Sequence, residues 1–409
     1  MSLEFSEKNL NEVYSITSGL SKSSDEFGFG FPFLSFKTIF YNYYIVDELD
    51  ELVNSTKEEQ TKHSVKKGDV FLTRTSETLD ELGMSCVALR DYPNATFNGF
   101  TKRLRPKKDK VIYPLYACYY FRSPLFRKYV DSMAIMTTRA SLNNNILSKL
   151  PIIFPDYQEQ KKIGHLLYNL DKKIELNKKI NKNLTKLSSS IFINLMEKSN
   201  EFLELNECCK FIKGKKPKET SEYPQSNFLD YLTIDVLSNQ SQMYAYDEKG
   251  ILANEYDILM VMDGASSGKL FYGKSGIVGS TLAKLNVEEK YLEIVYQFLK
   301  QSEKFISDNT TGSAIPHTDK GLVLNLKCPI SDELLNYSAT FKSMRSTIIK
   351  NNNEILKLQK LRDTLLPKLM SGEIDVSKIN CDFENIAHFM IFSFKKIIGY
   401  LGLYFIRFL

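Results

Sequence analysis

Two stretches of this chain carry residue types that could do phosphate or metal chemistry. Gly268-Lys-Leu-Phe-Tyr-Gly-Lys-Ser275 satisfies the phosphate-loop pattern, and Ile258–Asp263 before it reads as a strand ending in an acid able to hold magnesium. Such a loop needs a helix starting at its Lys-Ser, so that free N–H groups and the helix dipole face the anion. The next residues, Gly276-Ile-Val-Gly-Ser280, read instead as another strand, so a hairpin turn is expected here and not an ATP site. Pro155-Asp156-Tyr-Gln-Glu159-Gln-Lys161 contains the acid–x–lysine of metal-dependent nucleases. In those enzymes the carboxylates converge on one ion from paired strands. Proline then aspartate is a helix-start signal, with acids in the first turn favoured by the macrodipole. Neither an Asn-Pro-Pro-Tyr amino-methyltransferase motif nor a glycine-rich adenosylmethionine loop is present. The expectation is a chain with no catalytic residue and no metal ligand.

The informative charges are two clusters. Thr101-Lys-Arg-Leu-Arg-Pro-Lys-Lys-Asp-Lys110 and Lys210-Phe-Ile-Lys-Gly-Lys-Lys-Pro-Lys218 each carry +5, as much as the whole chain. Lysine and arginine beside polar loop residues are what phosphate contact and groove reading require. A solvated basic edge would account for them equally well. The remaining balance, 54 basic against 49 acidic residues, excludes a uniformly basic nucleic-acid binder.

The elements that must position these clusters follow from length and pattern. At 409 residues, 43% hydrophobic and 25% charged, with mean hydropathy −0.26, the chain suits two or three globular domains. Its six cysteines show no C-x-x-C spacing, and the N-terminus carries no basic-then-apolar leader, which together point to the cytoplasm. From Asn385 to Leu409 the sequence turns apolar, interrupted by Lys395, Lys396 and Arg407. Its longest uncharged run, Ile397 to Ile406, is half of a membrane span, so an amphipathic tail is expected and not an anchor.

The sequence repeats. Residues 155–196 and 329–370 align without a gap and share nine identities, among them Pro155/Pro329, Asn177/Asn351, Leu184/Leu358 and the terminal Leu195-Met196/Leu369-Met370. Upstream, Ile16–Gly19 resembles Ile212–Gly214, Asp69–Arg74 resembles Asp257–Met262, and Gly99–Thr101 resembles Gly279–Thr281. Globular unit, long helix, smaller globular unit, long helix is the order this implies. Ile163, Leu167, Leu170, Ile174, Asn177, Asn181 and Leu184 alternate steps of three and four. Phe341, Met344, Ile348, Asn351, Ile355, Leu358, Leu361 and Leu365 nearly do the same, with Pro367 and Gly372 closing the run. Such stripes want a partner helix, and asparagine within them fixes register. Strands are expected at 70–73, 85–89 and 97–104 and again at 258–262, 270–272 and 277–285, with amphipathic helices at 113–132 and 290–307.

In order and duplication, a set of motifs resembles the specificity subunits of type I restriction-modification systems. They are Val70-Phe-Leu-Thr-Arg-Thr-Ser-Glu77, Asn98-Gly-Phe100, Leu150-Pro-Ile-Ile-Phe-Pro155 and Glu159-Gln160 in the first half. In the second they are Asp263-Gly264, Gly279-Ser-Thr-Leu-Ala-Lys284 and Leu365-Leu-Pro-Lys-Leu-Met-Ser-Gly372. The resemblance covers residues 1 to about 380. It implies an α+β chain with two mixed α/β target-recognition domains, each reading half of a split double-stranded DNA target. Two long helices would separate them and pair as an antiparallel coiled coil in a pseudo-twofold repeat. The corresponding boundaries are 1–155, 156–200, 201–328, 329–372 and a tail at 373–409. The family further implies two methyltransferase subunits and restriction/translocase subunits as partners. S-adenosylmethionine, ATP and magnesium then belong to those partners and none to this chain, with no membrane involved.

On this reading Arg74, Lys102, Arg103, Arg105, Arg139, Lys213, Lys215, Lys216 and Lys269 are the candidate DNA contacts. Ile163, Leu167, Leu170, Ile174, Leu184, Ile348, Ile355, Leu358 and Leu365 form the seam that docks methyltransferase. A helix of about 38 residues would span about 57 Å and act as a ruler between the half-sites. The alternatives are a stand-alone restriction or methylation enzyme, which needs its own catalytic motifs, and a coiled-coil adaptor that binds no DNA.

Overall fold

The computed structural model describes residues 5–45, 48–136, 140–312 and 314–376. Arg139 and the apolar segment expected from about residue 385 lie outside the described residues. The chain divides into two units, Met1–Lys173 with Lys357–Leu409, and Ile174–Leu356.

Each unit is built on the same four-stranded antiparallel sheet. Its order is Tyr14–Ser18, Thr101–Pro106, Val70–Thr73, Ser85–Val87 in the first unit. In the second it is Cys209–Lys213, Leu282–Val287, Ile258–Val261, Leu270–Phe271. The third strand is apolar without alternation because both of its faces are covered. Val70 and Leu72 pack with Tyr116 and Phe121, while Phe71 joins Ile39, Cys86 and Phe97 in a separate cluster. Likewise Ile258 and Met260 pack with Ile294 and Leu299, and Leu259 and Val261 with Leu232 and Val278. Each unit also holds a short parallel strand pairing, Phe33–Leu34 on Thr96–Phe97 and Tyr231–Leu232 on Ile277–Val278. An antiparallel ribbon completes each: Ser6–Asn9 on Pro151–Phe154, and Glu201–Glu204 on Lys327–Ile330.

Three details differ from the sequence reading. The strands expected at 97–104 and 277–285 are each two strands parted by a turn, at 98–100 and 279–281. Backbone bonds from Gly19 N–H to the Thr101 carbonyl (3.4 Å) and from Gly214 N–H to the Leu282 carbonyl (2.9 Å) make those two acceptors counterparts. Thr101 therefore matches Leu282 and not Thr281, one residue beyond the sequence alignment. The helix expected at 113–132 is two, Pro114–Tyr120 and Pro124–Met133. Its break falls where Ser123 accepts from the Phe126 N–H (3.3 Å) and Pro124 offers no donor to continue the first helix.

The two long helices run Tyr157–Met196 and Ser338–Met370. Asp156 opens the first, accepting from the Gln158 and Glu159 N–H groups at 2.7 and 3.0 Å. Within the first unit, Ile163 and Leu167 share a core with Leu366 and Leu369, and Asp171 pairs with Arg362 at 2.6 Å. Within the second, the Asn177 amide donates to Glu354 (2.7 Å), and Asn181 exchanges hydrogen bonds with Asn351 and Asn352 (both 2.8 Å). Numbers rise along one helix as they fall along the other, so the pair is antiparallel, in an α+β fold. Ile163, Leu167, Ile174, Ile348 and Ile355 are buried in this seam, and Leu170, Leu184, Leu358 and Leu365 are half-buried. Leu361 is 45% exposed and leaves the stripe, because the seam there passes through Arg362 on its way to Asp171. Pro367 does not close the second helix. It sits in the last turn, where it forgoes the one bond an N–H there would make to the Asp363 carbonyl, and the helix ends before Gly372, whose φ of +77° suits glycine.

Residues paired by the repeat, Asp171 and Arg345, each tie a long helix to its unit's own helical layer. Asp171 accepts from the Tyr119 hydroxyl at 2.8 Å. Arg345, 2% exposed, grips Glu293 with two bonds of 2.5 and 3.0 Å and donates to the Tyr256 carbonyl at 2.7 Å. Removing one partner of such a pair strands a buried charge. Arg345→Met should therefore destabilise the second unit by about 3–5 kcal/mol in thermal unfolding of the full chain, and adding Glu293→Leu should recover most of that loss. A single variant that melts like the parent would show that the pair holds nothing.

Candidate nucleic-acid interface

In both units the first sheet strand ends at a glycine pressed against a neighbouring turn. A Cβ on Gly19 would lie 2.1 Å from the Asn98 carbonyl oxygen, and one on Gly214 would lie 2.1 Å from that of Gly279. This approach brings together the strand end and the residues that follow the third strand.

In the first unit that place gathers Ser18, Arg74, Phe100 and Lys102. Lys102 donates to the Ser18 hydroxyl at 2.8 Å. The Arg74 guanidinium lies 5.9 Å from the ring centre of Phe100, which is 59% exposed. Burial, and then the charge of Arg74, hold the Lys102 ammonium below the usual lysine range. Among the described residues no carboxylate pairs with either cation. Lys102 is buried and Arg74 half-buried, so Arg74 is the one of the two that reaches the surface as uncompensated charge.

Arg103 and Arg105, expected to face DNA, are instead spent inside the unit. Arg103 is 5% exposed, donates to the Ser64 carbonyl at 2.7 Å, and lies over Phe97. Burial, and then neighbouring Arg105, push it down to about 10. Arg105 pairs with buried Asp69 at 2.6 Å. In the second unit the acid equivalent to Asp69, Asp257, is taken instead by Lys284, which stands at the position of Arg103, at 2.7 Å. Alternation along the Thr101–Pro106 strand does not distinguish these arginines from outward-facing ones. Their acid lies 34 or more residues upstream, on the turn before the neighbouring strand, so sequence reading missed it.

In the second unit the equivalent place holds Lys213, Asp263 and His317. Asp263 accepts from Lys213 at 3.1 Å and binds the His317 Nδ1 at 2.8 Å. Burial acts to raise this carboxyl, but the His317 and Lys213 hydrogen bonds together outweigh it and the net shift is downward. The stability it contributes is present above the ordinary carboxylate value of 3.8 and is lost as the pH falls through the lowered one. His317 was not singled out by sequence; only the fold shows that its pairing with Asp263 takes the place of that of Ser141 with Thr75. Lys215 and Lys216 follow Gly214 on an exposed loop. Lys269 is exposed too, over the ring of Phe271 at 4.9 Å.

The phosphate-loop pattern at 268–275 turns through the strand Leu270–Phe271 into the strand Gly276–Val278, and Lys274 donates to the Val236 carbonyl. No helix begins there, so the geometry that cradles phosphate is missing. The described cysteines are buried, and burial pushes Cys86 up to about 12 and Cys208 up to about 11, which leaves neither as a nucleophile. Among the described residues no group of three or more His, Cys, Asp or Glu could hold a metal ion, and no helix is long and apolar enough to cross a membrane.

The family model described as type I restriction modification DNA specificity domain matches residues 3–186 and 197–332. The MjaVIII type I restriction enzyme specificity subunit of Methanocaldococcus jannaschii is 32% identical over 180 residues, 42% of either chain. That relative is thus matched over less than half its length. The MjaIX specificity subunit of the same organism is 24% identical over 91% of this chain and 93% of its own. The crystal structure of a type I restriction-modification S subunit from M. genitalium shares the fold, with a TM-score of 0.66 at 16% identity over 90% of this chain and 96% of that one.

These contacts sort the basic residues by experiment. Lys215→Ala with Lys216→Ala should leave the melting temperature unchanged and flatten log K against log salt for duplex DNA by about 0.9 per lost phosphate contact. Arg105→Ala should instead lower the melting temperature, through a loss of stability on the order of 3 kcal/mol, because Asp69 is left buried and unpaired. If Arg105→Ala changes only the salt slope, its internal role is wrong.

Proposed function

We infer the function from a premise those matches supply: the chain belongs to the family of type I restriction modification DNA specificity domains. It is the DNA-recognition subunit of a type I restriction-modification complex. Each globular unit reads one half of a split double-stranded target. The helix pair carries two methyltransferase subunits, and restriction/translocase subunits join the assembly. S-adenosylmethionine serves the methyltransferase, ATP and magnesium serve the restriction subunit, and this chain works in the cytoplasm without catalysing a step itself.

The observation that carries this reading is the duplicated sheet end. The same end of the sheet holds Arg74 with Lys102 in one unit and Lys213, ahead of exposed Lys215 and Lys216, in the other, though at different backbone positions. An adaptor that ignores DNA has no use for basic residues gathered at the same sheet end in both units, with Arg74 unpaired among the described residues of one and Lys215 and Lys216 exposed in the other. A self-sufficient enzyme would need a phosphate cradle or converging carboxylates, and neither motif stretch has that geometry. Lys-rich loops dock on phosphates, and polar side chains between them meet base edges.

Methylome sequencing of the host with and without the gene tests the reading directly. A bipartite methylated motif should vanish when the gene is deleted. Replacing residues 201–328 with those of a relative should change one half of that motif only. If both halves change together, the two-reader scheme fails. Leu184→Pro, at about 3 kcal/mol or more for a proline inside a helix, should abolish co-purification with the methyltransferase. Normal co-purification would remove the helix from the docking role.

A further inference from the structure

We propose that Arg74 reads a guanine in the first half-site, while the exposed lysines serve phosphates. The inference rests on the reading of the chain as a DNA-recognition subunit, and it assigns a base-specific role to one residue.

Three observations separate Arg74 from the other basic residues. Its backbone is pinned on both sides: its N–H donates to the Phe100 carbonyl at 3.1 Å, and its carbonyl accepts from the Leu142 N–H at 2.9 Å. Its guanidinium is laid on the Phe100 ring, so the side chain is supported as well as the backbone. Its Nε is buried without a hydrogen-bond partner. That of Arg103 is too, but Arg103 still donates to two carbonyls inside the unit, whereas among the described residues no carbonyl or carboxylate takes the Arg74 guanidinium. A buried donor left without an acceptor is costly, and such groups concentrate where a ligand completes the set. By contrast Arg103 and Arg105 have their acceptors inside the unit, and Lys215 and Lys216 sit on an open loop.

The chemistry of the ligand follows from the donor set. Arginine offers a planar fork of donors and no acceptor, which matches the adjacent O6 and N7 acceptors of guanine in the major groove. Reading a base edge needs a fork held in one orientation, which a residue fixed at backbone and ring supplies. A phosphate makes no such demand, and mobile lysines satisfy it as point charges. Lys102, adjacent, is buried and donates to Ser18, which leaves Arg74 as the group at this place that can meet a base.

The second unit puts Met262 at the corresponding backbone position, where the Thr318 N–H donates to its carbonyl at 2.8 Å as Leu142 does to Arg74. A thioether cannot read guanine. The guanine contact is therefore confined to the first half-site, and the two units read different bases through one scaffold.

The test is methylome sequencing of cells that express the complete system with the parent chain, Arg74→Lys, Arg74→Ala or the double Lys215→Ala/Lys216→Ala. Arg74→Lys keeps charge and stem but loses the fork. It should make one G·C position in one half of the motif degenerate, with preference for that pair falling about 5- to 150-fold, the range for a bidentate base contact. The other half and the spacer should stay as they are, and the variant should still co-purify with its methyltransferase. The lysine double variant should lower methylation of all sites evenly and leave the motif unchanged. An unchanged motif in Arg74→Lys, an even loss across sites, or degeneracy at an A·T position would overturn the assignment. If the parent system yields no bipartite motif, the DNA-recognition reading fails, which is a different result from a motif that Arg74 does not influence.

Discussion

Amides buried on a helix seam must find partners, since an unpaired polar group away from water costs more than the hydrogen bond it lacks. Asn177 and Asn181 are 1% and 9% exposed, and their bonds to Glu354, Asn351 and Asn352 exist in one register only. Sliding one helix by a turn would leave all of these groups unsatisfied. An all-leucine seam would tolerate such a slip, because apolar side chains pack against many neighbours with similar gain. The register in turn decides which seam residues reach each core. Ile163 and Leu167 meet Leu366 and Leu369, and Arg362 reaches Asp171, only in the observed alignment.

The same accounting of partners separates structural from functional charge. Four basic residues sit within or beside one strand, and their types alone do not distinguish them. Arg103 and Arg105 are held by carbonyls and by Asp69. Among the described residues buried Lys102 reaches only a hydroxyl, and half-buried Arg74 reaches only a ring. Charge that the fold has already neutralised is poorly suited to attract phosphate, whereas charge left open at a turn is available. In the second unit Asp263 moderates Lys213, so the exposed lysines after Gly214 carry the open charge there.

Duplication made much of the architecture legible. The sheet strands 70–73 and 258–261 and the long helices with their need for a partner follow from apolar runs and from stripes with a three-four step, which depend on local period. The antiparallel sense of the pairing was implied by the family resemblance. The hairpin at 268–275 and the helix start at Asp156 were likewise readable, because glycine, proline and aspartate act through their own backbone neighbourhood. The breaks at 98–100 and at Ser123 were written in turn residues that a longer apolar pattern masked.

What the chain alone determined was therefore everything governed by short-range rules: element type, repeat order, seam residues and the presence of two basic clusters. The family resemblance carried on the same motifs named the class to which they belong. Tertiary structure decided what each charge is for. Whether an arginine is spent or open depends on residues such as Ser64 and Asp69, which reach it only when strands distant in sequence pair side by side. It also decided that Asp263 meets His317, which is 54 residues away in the chain. A single sequence holds no local signal for such meetings, because hydrogen-bond partners across a sheet are set by topology and register, and those emerge only when the whole core is packed.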